Sequence, residues 1–257
     1  MKPIYAGILN LLGFSLVITV NALANILPIN GYNTGQVSAF YPNYFVPAGF
    51  TFGIWGIIYL LLMGYVICSL LSPLASFPDK ARRLVLKTTP YFLVTCVLNA
   101  SWIVAWHYLY LGFSLVIMLA FLFTLIKLFL AIRDTKFELK PFYRFWIYHP
   151  FVVYLGWISV ATIANFTALF VGIGWQGEPL APTTWSVMLM SIALVLGILM
   201  VGVRNEPAYG FVLAWAFFGI HGGQLKDSTL VGYTAAVASS FMLALALTIL
   251  IKSKKAT

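Results

Sequence analysis

Eight apolar runs, at 5–27, 48–71, 88–107, 112–132, 145–173, 184–203, 208–220 and 230–252, carry almost no charge. A bilayer core about 30 Å thick needs roughly 20 apolar residues in a helix to cross it, and seven of the runs reach that length. The seventh in order is short, opened by Pro207 and closed by Gly222 and Gly223, so that a re-entrant path is one reading of it. A spanning barrel would show alternating segments of about ten residues, whereas these runs are apolar all round. The expected fold class is an all-α, multi-pass integral membrane protein with eight transmembrane helices in total. Composition agrees: 62% of the 257 residues are hydrophobic and 8% charged, where a soluble domain carries roughly 25% charge. An aromatic content of 17% excludes disorder. The first run follows Lys2 and imitates a signal peptide, but it is long for one and is read as a helix.

A formal charge of +9 suggests nucleic acid in a soluble chain, but in a membrane protein basic residues collect in loops on the cytoplasmic side. With eight crossings and the N-terminus inside, fourteen of the fifteen Lys and Arg fall inside and only Lys226 outside. If the seventh run failed to cross, the split would be twelve to three. Both termini are therefore expected in the cytoplasm, the lipid bilayer is the expected partner, and no nucleic acid is. A bacterial cytoplasmic membrane is the default location. The segment 28–46 holds no charge and suits a loop across an apolar outer mouth.

Ionisable residues in a spanning helix usually mark ion paths or proton relays, and none stands near the centre of a run. Asp79, Asp134, Glu138, Glu178, Glu206 and Asp227 sit in loops or at helix ends, and His107, His149 and His221 at the edges of runs. No Ser-His-Asp set, carboxylate pair or phosphate-binding glycine loop is visible. Cys68 and Cys96 both lie in apolar runs, which argues against a disulfide framework or thiolate metal site, and no cofactor is expected. Gly49 and Gly53 form a small-xxx-small pattern, which reads as close helix packing.

The remaining chemistry is aromatic and amide. Trp146, Trp175 and Trp185 stand near expected interfaces, where an aromatic belt accounts for them. Trp55, Trp102, Trp106 and Trp157 lie deeper, on three helices. Asn99 precedes Trp102 by three residues, and Asn165 follows Trp157 by eight, nearly in line on each helix. An amide at membrane depth must find partners, so it faces other helices or a polar cavity. Interhelical bonding is one reading, and a shared pocket with a few hydrogen-bonding groups is the other.

The same residues carry a family resemblance. Pro47-Ala48-Gly49-Phe50-Thr51-Phe52-Gly53-Ile54-Trp55, with Tyr59 and Gly64 after it, resembles the second helix of the translocator protein family, also called tryptophan-rich sensory proteins or TspO/MBR. Leu98-Asn99-Ala100-Ser101-Trp102 resembles its third helix, and Tyr154-Leu155-Gly156-Trp157 with Ala161 and Asn165 its fifth. The match covers roughly residues 1–175. Departures are Phe50 for a tryptophan, one residue fewer between Phe52 and Trp55, Val153 for a proline, and Ala164 before the asparagine. The resemblance implies a TspO-like five-helix bundle over 1–174 around a ligand cavity, with about three additional C-terminal helices, 175–257, packed on it. It implies Trp55, Asn99, Trp102, Trp157, Ala161 and Asn165 as ligand-binding positions, with a porphyrin or other tetrapyrrole, or a sterol, as ligand. It also leaves a homodimer as an assembly option.

Three functions follow. A membrane-embedded binding, transport or sensory protein for a planar hydrophobic ligand is supported by the indoles, the amides and the resemblance. A secondary transporter or channel for another small solute suits eight crossings with breaks near Pro47 and Pro207. An enzyme degrading porphyrin has the least support, because no acid, base or metal ligand stands in the apolar layer.

Overall fold

The computed structural model describes residues 1–27, 29–175 and 177–255, without the side chains of residues 136, 137, 254 and 255. Pro28, the first residue of the expected outer loop, lies outside the described set. The described residues form helices and contain no strand. Eight of the helices are long: α1 Pro3–Ile26, α2 Ile54–Leu71, α3 Asp79–His107, α4 Leu111–Ile132, α5 His149–Gly172, α6 Pro182–Ile198, α7 Pro207–Gln224 and α8 Thr229–Lys255. Seven segments, one for every long helix but α7, are long and apolar enough to cross a membrane. The protein is a multi-pass integral membrane protein.

The helix ends follow local chemistry. Pro3, Pro182 and Pro207 each open a helix, where a missing N–H costs nothing. Asp79 in the first turn of α3 favours the positive end of the helix dipole. That helix starts nine residues before the expected 88, because apolarity marks only the part in hydrocarbon while the backbone ladder continues beyond it. The second apolar run departs in the other direction. Gly49–Gly53 is a 3-10 turn and α2 begins only at Ile54. A Cβ on Gly49 or Gly53 would meet nothing within 4 Å, which corrects the expectation that these glycines serve close packing. Helix α7 has 18 residues, longer than the short run implied. At 1.5 Å per residue it is about 27 Å long, and burial of Tyr209, Val212, Leu213, Phe217 and Ile220 explains why it needs less apolar surface than its neighbours.

The chain forms two compact units, Met1–Thr34 with Ile54–Leu155, and Gly35–Gly53 with Gly156–Thr257. In the first, α1 packs on α2 and α3, and α3 on α4. Outward-facing side chains such as Leu12, Phe113 and Phe123 are apolar and exposed, as a lipid-facing surface requires. In the second, α7 packs on α8, which also meets α6. Small residues allow these helices to come close: a Cβ on Gly197 would lie 2.7 Å from Leu213 and 2.8 Å from Met242, and one on Gly210 2.6 Å from Val201.

Candidate functional site

Three of the six expected ligand-binding residues lie in the first unit, and the structure brings them together. Helix α2 supplies Trp55 in its first turn, with Tyr59 one turn later. Helix α3 supplies Asn99, Trp102 and Trp106 at spacings of three and four, hence on one face. The rings form a stacked row. Tyr59 and Trp55 have centroids 5.6 Å apart at 26°, Trp55 and Trp102 6.4 Å at 29°, and Trp102 and Trp106 5.7 Å at 17°. Tyr154 of α5 and Trp55 are in a T-shaped contact at 6.0 Å, and Tyr154 and Phe121 in another at 5.1 Å. Trp102 is buried and Trp55 half-buried.

Beside the rings is a small polar knot. The Asn99 amide donates to the Tyr154 hydroxyl at 2.9 Å, and its carbonyl oxygen accepts from the Asn21 amide at 2.7 Å. Asn21 also donates to the Val17 carbonyl. The Tyr59 hydroxyl is buried against Asn99 and Asn21, yet reaches neither with full hydrogen-bond geometry. Asn99 stands eight residues before the end of α3, about 12 Å along the axis, so these groups lie at membrane depth. A buried hydroxyl with no aligned partner there costs about 1–3 kcal/mol, and a ligand's polar edge or a water would relieve it.

Asn21 escaped the sequence reading, although it gives the signal that singled out Asn99, an amide inside an apolar run. Asn10 escaped likewise. It lies eleven residues earlier, three helical turns, on the same face of α1. Its amide faces the hydroxyls of Tyr65 at 3.1 Å, Ser69 at 2.8 Å and Thr89 at 3.0 Å, and Tyr65 is bonded to Thr88 at 2.8 Å. This second polar layer lies about 16 Å along α1 from the first and bonds three helices together. At the C-terminal end of α3, His107 Nδ1 donates to the Ile29 carbonyl, its Nε2 faces the Thr34 hydroxyl at 3.1 Å, and Asn30 donates to the His107 carbonyl. The start of the expected outer loop is thereby tied to α3.

Trp157, Ala161 and Asn165 belong to the second unit. They recur every four residues and occupy one face of α5. Trp157 and Asn165 are buried and Ala161 half-buried, and Phe52 meets the Trp157 ring edge-on at 6.3 Å. In the same unit the segment 43–53 is fixed to α7. The Ala48 amide donates to the Gly219 carbonyl, Trp215 Nε1 to the Thr51 carbonyl, and Gln224 to the carbonyls of Val46 and Asn43. A Cβ at Gly219 would stand 2.0 Å from the Thr51 hydroxyl, so only glycine permits this seat. Glu206, expected at a helix end, is there but buried, in the cap position of α7 where the helix dipole favours a carboxylate.

The first unit thus holds a buried to half-buried cluster of aromatic rings with amides and phenols beside it. A family model described as TSPO-like protein matches residues 7–249. The match runs well past residue 175, so the C-terminal helices fall within the family pattern and the extent expected from the three motifs was too short. No curated protein and no solved structure matches the chain.

Proposed function

We propose that this chain, which belongs to the TSPO-like protein family, is a membrane receptor or carrier for a planar, mainly apolar ligand with a polar edge, of the tetrapyrrole type. The observation that carries the reading is the stacked row Tyr59–Trp55–Trp102–Trp106 beside the Asn21–Asn99–Tyr154 knot. A flat ring extends such a stack, and a carboxyl or pyrrole nitrogen satisfies phenol and amide groups that hydrocarbon cannot. A sterol has no π-system and usually a single hydroxyl, so it uses less of this surface. Trp157, Ala161 and Asn165 enter as ligand contacts on the resemblance alone. Residues 1–174 are assigned to the ligand-binding bundle and 175–257 to helices added to it.

Titrating the detergent-purified protein with protoporphyrin IX and with haem should quench tryptophan emission saturably, with one ligand per chain. Quenching that rises linearly and equals that of free tryptophan in empty micelles would remove the proposal.

Eight crossings with both termini in the cytoplasm complete the reading, with α7 as the crossing that its protein neighbours shield from lipid. In a cysteine-free background, a cysteine at Lys226 should react with an impermeant maleimide added to intact cells, and one at Lys252 only after the cells are opened. The reverse pattern, or equal labelling of both from outside, contradicts the topology.

A further inference from the structure

Within the second unit is a groove of about 680 Å³ that includes none of the six residues discussed above. Its size falls in the range of small-molecule sites. One wall is a run of four rings from α5, the connection after it and the start of α6. Phe166 and Phe170 have centroids 4.4 Å apart, Phe170 and Trp175 4.8 Å, and Trp175 and Trp185 5.1 Å. Trp185 is held in place by its indole N–H, which donates to the Gly177 carbonyl. Trp175 and Trp185, expected in an interfacial belt, also pack on their neighbours and line one concavity.

The opposite wall is built by the uncharged segment that includes Asn43, Tyr44 and Val46. It is preformed. Gln224 donates to the Val46 carbonyl at 2.7 Å and to that of Asn43 at 3.3 Å, while the Asn43 side-chain oxygen accepts from the Phe45 amide at 2.9 Å. Asp227, exposed, is the one charged side chain among the described residues that line the groove. Lys226 and Glu178, adjacent in sequence to lining residues, are both exposed.

We infer that this groove binds a hydrophobic organic cation. Aromatic faces attract a cation through their negative quadrupoles, and the attraction grows where water is excluded. On a chain of formal charge +9, a groove whose lining carries a single carboxylate selects for positive charge, since an anion there faces Asp227 and the ring faces together. A bulky delocalised or quaternary cation gives up little hydration on entry and fills an aromatic concavity by area as well as by charge.

Tetraphenylphosphonium and tetraphenylborate share shape and differ in sign. Equilibrium dialysis of the two radiolabelled ions should be run against the protein in nanodiscs of phosphatidylcholine, with empty nanodiscs subtracted. The cation should bind saturably, one per chain, and at least tenfold more tightly than the anion. Asp227→Asn should weaken cation binding about tenfold, equivalent to about 1.4 kcal/mol, and leave the anion unchanged. Trp175→Leu should weaken it by a similar factor, and neither change should alter porphyrin quenching, which reports that the bundle is intact and tests the other site separately. Equal binding of both ions, no binding above empty nanodiscs, or an Asp227→Asn protein that holds the cation as before overturns the inference.

Discussion

Replacing Gly64 by alanine lowers the stability of the purified protein by about 3 kcal/mol, the upper part of the range for overpacking a tight contact. A Cβ at this position would lie 2.0 Å and 2.4 Å from ring carbons of Trp146. Trp146 stands in the π-helical turn Arg144–Tyr148 that leads into α5, so its backbone has little freedom to move the indole aside. For a chain of this length the loss corresponds to roughly 6–12 °C in thermal midpoint. The double variant Gly64→Ala with Trp146→Leu should recover part of it, because the two residues are in direct contact and their effects do not add. An unchanged midpoint for Gly64→Ala would mean that α2 and this turn are not packed as described.

Asn99→Leu should cost both stability and ligand. The substitution keeps the approximate volume but leaves the Asn21 amide and the Tyr154 hydroxyl without their partner, and orphaned buried groups cost about 1–3 kcal/mol each. Rearrangement within the membrane recovers some of that, so a loss of about 2 kcal/mol is expected, with porphyrin affinity down at least tenfold. Asn10→Leu is the comparison. It disturbs the other polar layer, bonded to Tyr65, Ser69 and Thr89, and should destabilise by a similar amount with no specific effect on porphyrin. If both variants lose affinity in proportion to stability, Asn99 is structural only.

Much of this arrangement is legible from residue type and spacing. Helices announce themselves by apolar length, because the bilayer imposes it. Trp102 and Trp106 declare a shared face by their separation of four. The weaker passages have physical causes. Helix α7 reads as a fragment because a helix enclosed by protein carries Gly219 and Gln224 where a lipid-facing one needs bulk hydrocarbon. Gly49 and Gly53 mimic a helix-packing motif, since a four-residue spacing does not say whether the backbone between them is helical. Position along the chain places Trp175 and Trp185 near an interface but does not report that their rings pack on each other. Asn10 and Asn21 each interrupt an apolar run, but their partners, Tyr65, Ser69 and Thr89 for the first and Asn99 for the second, come from segments more than fifty residues away, a distance that periodicity does not bridge.

The central claim is that a planar ligand rests on the indole row next to Asn99, and a paired titration tests it most directly. Protoporphyrin IX binding should be measured for Trp55→Phe, which shrinks the half-buried member of the row, and for Phe123→Leu on the exposed face of α4. An aromatic pair is worth about 0.5–1.5 kcal/mol beyond area burial, so the dissociation constant should rise up to about tenfold for Trp55→Phe and stay unchanged for Phe123→Leu. Equal affinities in both variants and the parent chain would contradict the claim and return the tryptophan row to a purely packing role.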